Sequence, residues 1–228
     1  MKQTDLGLFL HRIAYSESSL ITTFYTQNNG IQKLVFQGAK KKKTNLFPLA
    51  ICELTYYHRP DSELGKLTQV DAVVPLYDIL LNPVKSLIAF FIADIVKQTL
   101  KTNEKEQEIF DFLVKTTKNL ENSSDLTLFP LIFLAEYTTY IGIQPHFDTT
   151  EQPNYFNLKE GEFHSDFRPG EWCEEGENAQ QLYQLFSQQT CLPTFKKKGL
   201  ELLLNYYQLH IPRFDVDNSL AIIREVLL

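Results

Sequence analysis

The sequence predicts an α+β protein, an N-terminal OB-fold β-barrel followed by an α-helical bundle domain with an irregular insertion. Three observations predict it. Residues 5–74 alternate with period two, helical periodicity takes over after Pro83, and residues 143–178 lose any period around Pro145, Pro153, Gly161, Pro169, Gly170 and Gly176. The boundary on this reading falls at 77/78, with the barrel in residues 1–77 and the helical domain, including the insertion at 143–178, in residues 78–228.

Five strands make the barrel. Leu6, Leu8 and Leu10 alternate with Gly7, Phe9 and His11, and 20–26 (LITTFYT) is rich in β-branched and aromatic residues. Asn29-Gly30 then signals a hairpin, because both residues tolerate positive φ. The third strand runs from Ile31 to Phe36. The fourth covers 49–58, before Arg59-Pro60-Asp61, and the fifth covers 65–74, before Pro75.

Helices follow. Pro83 opens a helix over 84–100 with apolar residues at 84, 87, 88, 91, 92, 95 and 96. Residues 104–120 repeat the pattern with acidic residues in the first turn, where the dipole favours them. A more apolar helix spans 126–141 and stops at Gly142. Short strands are expected at 155–158 and 162–167, with Phe163, Phe167 and Trp172 as apolar plugs. Helices return at 178–189, at 195–210 and, after an Asp217-Asn218-Ser219 cap, at 220–228.

The chain has 228 residues, 22% of them charged and 13% aromatic, a globular composition. Three separated cysteines, Cys52, Cys173 and Cys191, form no C-x-x-C pair, which suits a reducing cytosol over a disulfide framework. No signal-peptide h-region or bilayer-length apolar run occurs, so a cytoplasmic protein is expected, with no membrane partner.

The formal charge of −6 is unevenly distributed. Residues 1–75 carry nine Lys/Arg against six Asp/Glu, and residues 76–228 carry 13 against 22. The positive charge is concentrated in Lys40, Lys41, Lys42 and Lys43, directly after Gln37-Gly38-Ala39. Such a run can be a solvated loop that protects a sheet edge. After the third strand of an OB barrel it instead borders the face that tracks an oligonucleotide backbone. Lysines are unoriented point charges, suited to phosphate contacts without base readout. Phe24, Tyr25, Phe36, Tyr56 and Tyr57 lie in the strands; most such aromatics are core, and one or two could stack on bases. The polar turn Tyr15-Ser16-Glu17-Ser18-Ser19 reads as structural, since Ser beside Glu without a positioned His is no triad.

Y-S-E-S-S-L before a strand, then N-N-G, then a strand ending Q-G-A-K-K-K-K and an aromatic-rich fourth strand, resembles the N-terminal domain of the bacterial recombination mediator RecO family. The resemblance is specific over residues 9–74, while the helical part matches in layout. It implies a protein that is not an enzyme and uses no cofactor. Such a protein binds single- and double-stranded DNA and anneals strands. It engages the acidic C-terminal tail of single-strand binding protein and helps load recombinase with a RecR-like partner, in the nucleoid of the cytoplasm. The family's K-G-A-[RK] loop falls on Gly38, Ala39 and Lys40, extended by Lys41 to Lys43, with Gln37 at the usual Lys. Arg12 and Lys33 are further DNA-binding candidates by position in the barrel.

Many relatives carry a zinc site of two C-x-x-C pairs in the insertion. This chain has only Cys173 there; with His146, His164 and Cys191 it matches no zinc template, so no metal is expected. Lys196 to Lys198 open a helix against its dipole, a solvated first turn or a second anion site. The pairs Phe90-Phe91 and Tyr206-Tyr207 offer apolar surface for the acidic tail. Two other readings compete with DNA binding: an OB-fold adaptor for RNA or a protein, and a cysteine hydrolase using Cys173 and His164.

Overall fold

The computed structural model describes residues 2–39, 46–59, 62–100, 106–147, 153–166, 170 and 172–215. Lys40 to Lys43, Phe167 and the helix expected at 220–228 lie outside the described residues.

Strands β1 (Lys2–Ala14), β2 (Leu20–Thr26), β3 (Gly30–Phe36), β4 (Ile51–Tyr57) and β5 (Gly65–Ala72) close a barrel in the order β1-β2-β3-β5-β4. That is the five-stranded OB arrangement expected from the sequence. β1 is long enough to serve two neighbours, pairing β4 through Lys2–Leu8 and β2 through Gly7–Ala14. Closure comes from a short parallel ladder in which Leu34, Val35 and Phe36 of β3 face Gly65, Lys66 and Leu67 of β5.

The β2–β3 turn is tied down by a buried acid. Asp5 accepts hydrogen bonds from Asn28 Nδ2 at 2.8 Å and Asn29 Nδ2 at 2.9 Å, and Gly30 takes φ 63° as the turn requires. The barrel interior is filled by Phe9, Phe24, Leu34, Phe36, Cys52, Leu54, Tyr56 and Leu67. Burial there, and then the nearby Asp71 charge, push the Cys52 thiol up to about 12, so it behaves as a small apolar side chain.

Leu8, Phe9 and Leu10 are all buried, although simple alternation would expose one face of β1. Two features explain this. A bulge shifts the register between Phe9 and His11, and helix α2 (Pro83–Thr99) packs on β1 from outside. Helix α3 (Gln107–Asn122) caps β2 similarly: Tyr25 Oη donates to the Glu106 carbonyl at 3.2 Å, and its ring lies 6.2 Å from that of Phe110.

A five-residue helix that the sequence did not announce, α1 (Tyr77–Leu81), precedes α2. The Asn82 side chain accepts from Val84 N at 2.9 Å and Lys85 N at 3.3 Å, capping α2 beside Pro83. The helices 77–122 therefore pack with the barrel, and the chain forms two compact units, 1–123 and 124–228. Strands give way to helices near residue 77, while the break in packing comes after α3.

The second unit contains α4 (Phe129–Tyr140), β6 (Tyr155–Asn157), β7 (Glu162–His164), β8 (Cys173–Glu175), α5 (Glu177–Gln188) and α6 (Lys196–His210). Its small sheet has the order β7-β6-β8. Phe163 is fully buried and stacks on Phe156 with centroids 4.3 Å apart, the plug the sequence predicts. Trp172 is not one: it sits just before β8 and is 42% exposed. Tyr206 and Tyr207 are core residues. Their hydroxyls donate to the Ile143 and Leu134 carbonyls at 2.7 and 2.8 Å, so they offer no open groove.

Candidate nucleic-acid interface

Barrel closure assembles an open cleft from three stretches of chain that are distant in sequence. The β1–β2 turn contributes Tyr15, the end of β3 contributes Val35 and Gln37, and the β4–β5 segment contributes Tyr57, His58, Arg59, Ser62, Leu64 and Lys66. The cleft has a volume of about 680 Å³. In OB barrels the loops joining strands one to two and four to five are those that hold oligonucleotides.

Local structure positions each wall. The serine turn is a closed unit, with Tyr15 N donating to Ser19 O at 3.1 Å and Ser19 N to Ser16 Oγ at 3.2 Å. The Ser16 side chain thus satisfies a backbone donor, as the structural reading of that turn expects, and the turn presents Tyr15 at 58% exposure. Across the closing ladder Val35 pairs Lys66, and Lys66 pairs Tyr57, so these three share the outer face of the barrel wall. Tyr57 is 48% exposed, whereas Phe24, Tyr25, Phe36 and Tyr56 are all buried. Two open aromatic faces therefore lie in a cleft with Arg59 and Lys66. Stacking platforms beside cations are what a single strand needs.

The predicted residues divide between surfaces. Gly38 takes φ 68°, with nothing near a Cβ built on it, and follows Gln37 at the cleft wall. Ala39 and Leu46, which bracket the lysine run, are both part of the barrel core. Lys33 is exposed on β3, two residues from Val35 and so on the same outer face. Arg12 is elsewhere. It pairs Thr22, which pairs the buried Leu34, and it lines a separate cleft of about 500 Å³ with Phe47, Leu80 and Phe90. Beside Arg12, burial and then the Lys97 charge lower the His11 pKa, against an opposing pull from Asp94.

Family models match both parts of the chain. One described as "Recombination protein O N terminal" covers residues 1–76, and one described as "Recombination protein O C terminal" covers residues 80–218. The chain belongs to the recombination protein O family. The chain is 29% identical to the DNA repair protein RecO of Flavobacterium psychrophilum, over 96% of its own length and 97% of that protein. It is 25% identical to those of Christiangramia forsetii, over 96% and 97%, and Bacteroides fragilis, over 99% of both chains. Membership in this family places the chain among proteins of DNA repair and recombination.

For a RecO-family chain, the remaining candidates sort by their neighbours. Lys198 Nζ lies 3.4 Å from Glu174 Oε1 and 3.9 Å from Glu201 Oε1, so its charge is already engaged by carboxylates. Cys173 and His164 stand on β8 and β7, the outer strands of the small sheet, with β6 between them. Two strand spacings, about 9–10 Å, rule out a nucleophile–base contact. Burial, then Glu175 and Glu174, raise the Cys173 pKa, the wrong direction for a thiolate nucleophile. Among the described residues, no helix is long and apolar enough to cross a membrane. Sequence reasoning singled out Tyr57 only as one of five barrel aromatics, and did not identify Tyr15, Arg59 or Lys66 as cleft residues.

Proposed function

We propose that this protein is a recombination mediator that binds single-stranded DNA across the barrel cleft, anneals complementary strands and helps load recombinase in DNA repair. Its partners are a RecR-like protein and the acidic tail of single-strand binding protein. The observation that carries the reading is the meeting of Tyr15, Tyr57, Arg59 and Lys66 in one cleft, its β3 wall leading through Gly38 into the lysine run. Bases stack on the tyrosines, while Arg59, Lys66 and Lys40 to Lys43 neutralise phosphates, giving affinity without sequence preference.

The two contributions separate by salt. Replacing Lys40 to Lys43 with Gln removes four phosphate contacts and flattens the slope of log affinity against log salt by about 2.8, at roughly 0.7 per contact. Tyr57→Ala leaves the slope unchanged and weakens binding by about 1–3 kcal/mol, the worth of one stacked base. Unchanged affinity and slope in both variants would sink the proposal, and a preference for RNA over DNA would favour the adaptor reading. Mediator function is tested by annealing strands coated with single-strand binding protein, with its acidic tail present or deleted. Equal rates with and without the tail would exclude it as a partner contact.

A further inference from the structure

The second unit holds a group of ligand-type side chains that DNA binding does not use. Glu162 and His164 are two residues apart on β7 and share one of its faces, while Phe163 between them is buried on the other. Gly161 precedes them with φ 70°, and a Cβ there would meet Tyr206 Oη at 2.8 Å. This glycine turn brings Glu160 beside the strand. One imidazole nitrogen and one carboxylate oxygen from each glutamate lie within 4.8 Å of one another.

A second observation points to a ligand. His164 is 7% exposed, and its Nε2 is buried with no hydrogen-bond partner. The Glu162 Oε2 oxygen stands 3.5 Å from it, too far for a good hydrogen bond. Buried ring nitrogens are almost always satisfied, so an orphan aimed at two carboxylates lacks a partner. Among the described residues, no lysine or arginine forms an ion pair with Glu160 or Glu162.

We propose that Glu160, Glu162 and His164 bind a divalent first-row transition metal ion, with water completing its coordination. Donors about 2.0–2.2 Å from zinc stand roughly 3.4 Å apart in a tetrahedron. The Nε2–Oε2 separation already matches, and the exposed Glu160 side chain supplies the remaining closure by rotation. One imidazole with two carboxylates selects zinc over magnesium, which prefers an all-oxygen shell. This departs from the metal-free expectation, and it uses no cysteine.

The test is calorimetric titration of the full chain with zinc chloride in a non-chelating buffer, with magnesium chloride in parallel. The expected result is one equivalent of zinc and at least tenfold weaker magnesium binding. Glu160→Gln, an exposed change, weakens zinc binding about tenfold or more while the metal-free melting curve stays that of the wild type. Cys173→Ser leaves zinc affinity unchanged, and the cobalt-loaded wild type shows no thiolate charge-transfer band. Absence of saturable zinc binding, indifference to both Glu160→Gln and Glu162→Gln, or loss of binding on Cys173→Ser would each overturn the site.

Discussion

The clip joining α1, α2 and α3 gives a prediction whose order of effects follows from geometry. Lys85 is almost completely buried. Its Nζ donates to the Glu121 carbonyl at 2.5 Å and to Asp78 Oδ2 at 3.1 Å. The Glu121 carboxylate accepts from Asp78 N at 2.9 Å and Ile79 N at 2.8 Å, two N–H groups at the start of α1 that have no helical partner. Replacing Lys85 with Met keeps the stem and removes the donor. A hydrogen bond to a charged group contributes about 1.5–3 kcal/mol, and relief of the buried charge returns part of it, so the net loss is roughly 1–2 kcal/mol. The Asp78 side chain is 68% exposed, which limits the ion pair to about 0–1 kcal/mol and predicts a small effect for Asp78→Asn. Glu121→Ala strips both N–H groups and costs about 2 kcal/mol, as a lost cap does.

Urea unfolding followed by far-UV circular dichroism should order the midpoints Asp78→Asn, then Lys85→Met, then Glu121→Ala, from least to most destabilised. Lys85 bonds the backbone carbonyl of residue 121 and shares Asp78 with the Glu121 carboxylate, so the double variant should depart from additivity by about 0.5–3 kcal/mol. An Asp78→Asn effect larger than that of Lys85→Met would contradict this geometry, as would independence of positions 85 and 121.

Two further outcomes follow from the barrel. A Cβ at Gly65 would meet Leu34 Cδ2 at 2.7 Å and the Tyr57 carbonyl at 2.9 Å. Leu34 can rotate but the backbone carbonyl cannot, so Gly65→Ala should cost about 1–3 kcal/mol in thermal unfolding, and an unchanged Tm would contradict it. His11 should titrate below its ordinary 6.5 by NMR, moving up in Lys97→Met and further down in Asp94→Asn. Because its folded pKa is the lower one, stability falls as pH drops through the unfolded value of about 6.5 towards the folded pKa, and the penalty is complete below the latter. A pKa that rises in Asp94→Asn would reverse this assignment.

The five strands were legible because alternation and Asn29-Gly30 are local signals, as was the helical face of α2 behind Pro83. α1 was not, since five residues are too few to show a period, and β8 was not, since Cys173-Glu174-Glu175 carries none of the aromatic residues that mark β6 and β7. The break between packed units was hidden for another reason. It depends on contacts such as Tyr25 with Glu106, 81 residues apart, which no window of sequence contains. The interface divides similarly. A lysine run declares itself, but Tyr15, Arg59 and Lys66 become neighbours only when β3 and β5 close the barrel. Lys198 looked like a free cation because the carboxylate of Glu174 that engages it lies 24 residues upstream.

Ala39 and Leu46 are both core residues, and this bears on how such a protein can evolve. The six positions between them begin and end on packed side chains, so the barrel specifies where the segment leaves and returns. Doubling the length of chain between two fixed ends costs only about 0.6 kcal/mol in closure entropy. In evolution, replacing Ala39 or Leu46 with a polar side chain is therefore costlier to the barrel than changing the length between them.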